Sequence, residues 1–404
     1  MNYIVAVVNQ EQNKSGGLYR WAVWLSVFVF LARPGELFPV LASIHLGLLS
    51  YLFVAGAFFF TNGIGQVEWK GPQKIMLFWL FWGAVAIPFS VWPSYAFEQW
   101  WTVLFINVSL FFFWLPIVCR QDQLITFIRA VVLGIACLVI LMLTGEVGEG
   151  RVSVGYMYDP NDMAMILVTV CPLVLYLFLQ TSGLLYKLLW GGLFSAVVLA
   201  VLKTGSRGGI LALAVALLVL LFRSGKDLRM WHRGMVVALA ILFFMSPAAD
   251  TVKDRWKDVL SGEDYNIAQV EEGGGGRLSL WLSAVQLAAK RPIFGVGVKN
   301  SQTALGEEYG EWRTVHNSFL EMLLDLGLPG LVLFSLLLRN IWQSSTRTKI
   351  DGGATLSVVS FLKFCLRIAL VAYLFSAFFL SQAYSILLPL LLLISYGIQK
   401  TEVS

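Results

Sequence analysis

The sequence predicts an all-α polytopic membrane protein, and three observations predict it. Of its 404 residues, 58% are hydrophobic and only 13% charged, against about a quarter charged in a soluble domain. The apolar residues fall in runs near the roughly 20-residue length that crosses a bilayer as a helix. Tryptophan and tyrosine gather where those runs end (Trp21, Trp69, Trp92, Tyr95, Trp100, Trp101, Trp190), the place where amphipathic rings settle at a membrane–water interface.

By length and apolarity the chain reads as about twelve spans. They fall near 18–32, 37–60, 73–92, 96–118, 124–143, 163–181, 184–202, 209–222, 235–249, 316–338, 357–379 and 382–398. The first and eighth are short. Three regions follow: membrane helices over 1–249, a polar loop over 250–315, and membrane helices over 316–404. No internal repeat is visible, which weakens an inverted-repeat transporter. Met1 to Lys14 lacks the apolar run of a cleaved leader, so the first span is expected to serve as the insertion signal. The four cysteines, Cys119, Cys137, Cys171 and Cys365, lie in or beside apolar runs and suggest neither a disulfide framework nor a metal cluster.

Charge sets the expected orientation. Lys14, Arg20, Lys70, Lys74, Arg120, Lys187, Arg223, Lys226, Arg229, Arg233, Arg339, Arg347 and Lys349 fall on the side that holds both termini. The short loops opposite carry few basic residues: Arg33, Arg151, Lys203 and Arg207. The positive-inside rule then makes the termini cytoplasmic and the 250–315 loop external. Within that loop, Arg277 to Lys290 (RLSLWLSAVQLAAK) spaces Leu278, Leu280, Trp281, Leu282, Val285 and Leu287 as an amphipathic helix, lying on the membrane face or packed under the loop. Arg291-Pro292 ends it.

Three short motifs carry chemistry. Thr204-Gly205-Ser206-Arg207-Gly208-Gly209 opens the eighth span on the outer side. A helix N-terminus there offers free N–H groups, glycines admit a phosphate, and an arginine binds it through two parallel hydrogen bonds. The other reading is a snorkelling arginine with glycines for helix packing. Gly276-Arg277 again places a guanidinium at a helix N-terminus, against the macrodipole, as an anionic partner would explain; an ordinary solvated arginine is the alternative. His316-Asn317 stands at the mouth of the tenth span and is one of three histidines in the chain. The helix dipole disfavours its protonation, so it suits a general base near pH 7, with Asn317 or a backbone carbonyl to hold the ring. The alternative is an interfacial capping pair. His45 reads as a satisfied polar residue between helices and His232 as a solvated charge.

Glu321 and Asp325, one turn apart inside the tenth span, are costly in lipid. They are expected to pair with Arg207, Arg277 or Arg313, or to orient His316. Asp159-Pro160-Asn161-Asp162 reads as the N-cap of the sixth span, with sugar contact as a further role.

These features together resemble the O-antigen ligase and polymerase family of bacterial envelope enzymes. The likeness rests on Ser206-Arg207-Gly208-Gly209, Gly276-Arg277, His316-Asn317-Ser318-Phe319-Leu320 and Asp325-Leu326-Gly327-Leu328-Pro329-Gly330, in that order, with one large loop late in the chain. The resemblance implies a membrane glycosyltransferase of the metal-independent GT-C type, with no cofactor and no nucleic-acid partner. It would take a glycan from undecaprenyl pyrophosphate on the periplasmic side of the inner membrane and invert its anomeric centre. His316 would deprotonate the acceptor hydroxyl, and Arg207 and Arg277 would bind the pyrophosphate. The first external loop holds only Arg33 to Glu36 and lacks a carboxylate pair for metal-dependent chemistry. The acceptor is lipid A-core in ligases, another glycan in polymerases and a protein hydroxyl in the related oligosaccharyltransferases. The ligase reading is favoured. Arg313-Thr314-Val315 lacks the extra histidine that protein-transferring members often carry before the His-Asn pair. From a different class, the external arginines and the intramembrane Glu321 and Asp325 also suit a transporter or flippase of an anionic lipid or solute.

Overall fold

Inside a bilayer every backbone polar group must bond within its own segment, so long apolar runs become helices. The computed structural model describes residues 2–61, 63–119, 121–144, 159–223, 277–346 and 358–402, and no strand occurs among them. In chain order the helices are α1 (Asn2–Ala32), α2 (Pro34–Leu37), α3 (Pro39–Ser43), α4 (Leu46–Phe60), α5 (Gly71–Ala86), α6 (Pro93–Gln99), α7 (Ile106–Trp114), α8 (Gln121–Thr144), α9 (Pro160–Gln180), α10 (Leu184–Lys203), α11 (Arg207–Arg223), α12 (Arg277–Lys290), α13 (Ser301–Tyr309), α14 (Ser318–Thr346), α15 (Val358–Ala377) and α16 (Leu387–Thr401). A π-helical stretch, Trp100–Phe105, joins α6 to α7.

Among the described residues, seven helical segments are long and apolar enough to cross a membrane: Gly71–Phe89, Pro93–Cys119, Asp122–Leu143, Pro160–Gln180, Leu184–Lys203, Ser318–Thr346 and Val358–Ala377. Four shorter apolar helices accompany them, Gly17–Ala32, Leu46–Phe60, Arg207–Leu220 and Leu387–Thr401. All lie on expected spans, and the chain is a polytopic all-α membrane protein. The expected span 235–249, His232, Gly276 and the 250–276 part of the polar loop fall outside the described residues. The expected span 37–60 is not one helix. The prolines Pro34 and Pro39 start separate short turns, and His45 turns left-handed (φ 50°) before α4. That leaves His45 exposed rather than seated between helices.

Helix α9 forms the centre. Every residue from Met163 to Phe178 is buried, as expected of a helix that is hydrophobic all round. It packs on α10, α11 and α15. At one end of the bundle, Lys400 bonds Glu68, Lys363 pairs with Glu402, and Gly17 and Arg20 share a cleft with Ile117 and Asp122. The loop segment 291–300, the start of α14 and the turn between α15 and α16 meet at the other end. There Ser318 Oγ donates to Leu380 O (2.6 Å), and Gln382 N donates to Ser318 Oγ (3.0 Å).

Helix α14 is broken at Gly327 (φ 68°, ψ −167°). A Cβ there would lie 2.2 Å from the Ile293 carbonyl oxygen, so only glycine permits the approach. The break frees carbonyls, and distant groups satisfy them. Val296 N donates to Leu324 O (2.7 Å) and Gly297 N to Asp325 O (2.9 Å). Trp82 Nε1 donates to Leu326 O (2.9 Å). The 291–297 segment is thereby fastened into the membrane helix, which positions the site that follows.

Candidate functional site

Helix α12 covers Arg277–Lys290, as the sequence pattern indicates. Leu280, Ala284, Leu287 and Ala288 recur at helical spacing on one buried face and pack against Val296, Ala304, Leu305, Val315 and Leu324. Leu278, Leu282 and Val285 form a second, exposed apolar stripe. Trp281, between the two faces, donates its indole N–H to the Val315 carbonyl at 2.9 Å.

That carbonyl belongs to the residue before His316. The histidine backbone is left-handed (φ 50°) and its side chain half-buried. Its Nε2 lies 3.0 Å from Thr314 Oγ1. Asn317 has a different partner from the one suggested by sequence. Its Oδ1 accepts from Phe319 N (2.9 Å) and Leu320 N (3.1 Å), so it is the N-cap of α14, and the ring's partner is the Thr314 hydroxyl. Burial, then the charge of Arg277, holds the imidazole below its ordinary range; Arg313 adds to this, and Asp159 and Glu321 oppose it. The ring is therefore neutral near pH 7. Burial, rather than a helix dipole, is the largest cause.

Ser206 Oγ accepts from Gly209 N (3.2 Å) and caps α11. Gly205 takes φ 60° where the chain leaves α10. The two following glycines differ. A Cβ on Gly209 would meet Ala164 Cβ of α9 at 2.3 Å, whereas on Gly208 the nearest atom is Phe379 Cβ at 3.8 Å. Gly209 thus serves helix packing, and the Gly208 side stays open. Arg207 is exposed at this helix start. The structure brings it within electrostatic reach of Arg277, whose guanidinium is lowered by desolvation first and by the Arg207 charge second, and which stays protonated.

The two carboxylates of α14 do not take arginine partners as expected. Glu321 Oε1 pairs with Lys299 Nζ at 2.6 Å, and its Oε2 accepts from Ala383 N at 3.0 Å. Asp325 accepts from the backbone N–H of Lys299 (2.8 Å) and of Ser301 (3.2 Å). The reason is geometric: the Gly327 break draws the 295–300 turn onto this face of α14. Arg313 pairs with Glu311 at 2.6 Å. Lys299 also sits 5.1 Å above the Tyr384 ring. Burial opposes its charge, but Glu321 and Asp325 outweigh this, and its pKa is raised. Sequence reading missed Lys299. The available signal was two intramembrane carboxylates, Glu321 and Asp325, with no basic residue within a helical turn of them in sequence.

Asp159 caps α9 as expected, its Oδ1 accepting from Asn161 N (2.7 Å) and Asp162 N (2.8 Å). Its charge acts on His316. Among the described residues, no three His, Cys, Asp or Glu side chains are grouped to hold a metal ion. One end of the bundle thus unites Arg207 from α11, Arg277 from α12, His316 from the mouth of α14 and Asp159 from α9. Two arginines and a neutral base side by side can bind an anion and accept a proton.

Residues 191–335 match a family model described as O-antigen ligase. The match includes Ser206, Arg207, Gly208, Arg277, Lys299, Arg313, His316, Asn317, Glu321 and Asp325, and excludes Asp159. No curated protein matches the chain.

Proposed function

We propose, from the O-antigen ligase domain that this chain carries over residues 191–335, that the protein moves a glycan from undecaprenyl pyrophosphate to an acceptor hydroxyl, with lipid A-core as the favoured acceptor. The observation that carries this reading is the placement of a neutral His316 within reach of Arg277, itself beside Arg207. Two repelling guanidiniums are relieved by a dianionic ligand, and a pyrophosphate meets both through paired hydrogen bonds.

The acceptor oxygen attacks the anomeric carbon as the carbon–oxygen bond to the pyrophosphate breaks, inverting the centre. The bonding pair leaves with the pyrophosphate oxygen, where Arg207 and Arg277 balance the developing charge without proton transfer. The acceptor proton passes to His316. When Nε2–H donates to Thr314 Oγ1, Nδ1 carries the free lone pair. The short loops expected on the side of the termini carry most of the basic residues outside the site, and on that charge bias the positive-inside rule supports a site on the periplasmic face of the inner membrane.

The test is genetic. The gene is deleted and complemented with wild type or His316→Ala, and envelope glycans are profiled. Loss of long glycan from lipid A-core, build-up on undecaprenyl pyrophosphate and rescue by wild type alone is the expected result. Single repeat units left on the core identify a polymerase. Equal rescue by both genes removes His316 as the base.

A further inference from the structure

The geometry points to Trp281 as a positioning residue for His316: its indole N–H, held by the Val315 carbonyl, locks the helix of Arg277 to the peptide before the histidine. The inference rests on the reading of His316 as general base.

Four observations carry it. The indole bond spans 34 residues of sequence at 2.9 Å, so it is a tertiary tie rather than a local turn. Trp281 lies one helical turn beyond Arg277, on the same rigid α12. One element therefore carries both the arginine and the anchor of the histidine. The indole is wedged edge-on against Phe378, ring centroids 5.4 Å apart at 83°. Finally, His316 holds a left-handed backbone, which costs a residue with a Cβ about 1–2 kcal/mol and which neighbours can hold in place. The neighbours do so on both sides: Val315 is buried with its carbonyl engaged by Trp281, and Asn317 is committed to the α14 cap.

The consequence concerns the ring's surroundings. His316 is faced by Thr314 and Arg313 from its own loop, Arg277 from α12, Asp159 from the cap of α9 and Glu321 from α14. Without the Val315 anchor the ring is free to swing toward water and away from Arg277. Its depressed pKa, due first to burial, would then relax upward.

The experiment uses full-length protein in nanodiscs with isotope-labelled histidine. The chain has three histidines, and His316→Gln identifies the His316 signal. Trp281→Phe keeps a ring against Phe378 and deletes the donor; Trp281→Gln keeps an N–H donor and drops the ring. The expected result is an upward shift of the His316 titration in Trp281→Phe, with Trp281→Gln closer to wild type. In transfer assays Trp281→Phe should lower kcat roughly tenfold or more, with the donor KM unchanged. An unmoved titration in folded Trp281→Phe overturns the inference, as does a rise in KM at constant kcat. If Trp281→Phe does not accumulate, folded Trp281→Gln decides: a wild-type titration supports donation, and that of a free imidazole overturns it. The titration needs no turnover. A shift seen in a protein whose wild type transfers no glycan would sink the transferase reading and leave the positioning role standing.

Discussion

Lys299 Nζ lies 2.6 Å from Glu321 Oε1, and this ion pair ties the loop before α13 to the core of a membrane helix. Glu321 also holds the Ala383 N–H, so one carboxylate joins the loop, α14 and the turn before α16. Replacing Lys299 by Met leaves Glu321 buried and unpaired. A fully buried pair costs about 3–5 kcal/mol when one partner is removed, and the partial exposure of Lys299 brings the expected loss to about 2–3 kcal/mol. Denaturant unfolding in detergent checks this. Lys299→Met/Glu321→Gln should recover part of the loss, and equal stability of Lys299→Met and wild type would show the pair to be idle.

The pH dependence follows from His316. Its folded pKa lies below its ordinary value, so the unfolded chain binds more protons between the two values. Stability therefore rises with pH through that window, and the penalty is complete below the folded pKa. The acid limb of the rate profile should lie below the ordinary imidazole value of about 6.5. Arg277→Gln removes the like charge next in importance to burial and should move the His316 titration up, measured by NMR. A titration that moves down, or not at all, contradicts the proximity of these two residues.

Arg207→Lys and Arg277→Lys keep the charge and lose the planar fork. If both arginines grip a pyrophosphate, each change should lower kcat/KM by roughly 10²-fold or more. Turnover of lipid-linked glycan by purified variants is the measurement. Wild-type rates in either variant would make that arginine a surface charge.

The two glycines after Arg207 separate packing from ligand contact. Gly209→Ala places a Cβ 2.3 Å from Ala164 Cβ, and overpacking of this kind costs about 1–3 kcal/mol. Gly208→Ala meets nothing closer than Phe379 Cβ at 3.8 Å and should unfold like wild type. A loss of donor affinity in a stable Gly208→Ala protein would show that a phosphate approaches this backbone, and unchanged affinity would argue that it does not. Thermal unfolding and donor binding, taken together, distinguish the cases.

The sequence by itself determined where most of the helices lie and the identity of the chemical groups. The runs at 163–181 and 184–202 could only become spanning helices, because a bilayer leaves the backbone no other way to bond. Asp159-Pro160 carried its own cap, and the apolar spacing from Leu278 to Leu287 specified α12. Local rules suffice there because the interacting atoms are at most four residues apart. What tertiary structure alone decided are contacts between distant segments. Glu321 takes Lys299 rather than an arginine, 22 residues away, and Trp281 holds Val315 across 34 residues. Gly327 breaks its helix because the Ile293 carbonyl needs the space. No periodicity encodes which loop fills that break. The exposed carbonyls of α14 accept whichever N–H groups the fold delivers, and the packing of the whole bundle decides that it is Val296, Gly297 and Trp82.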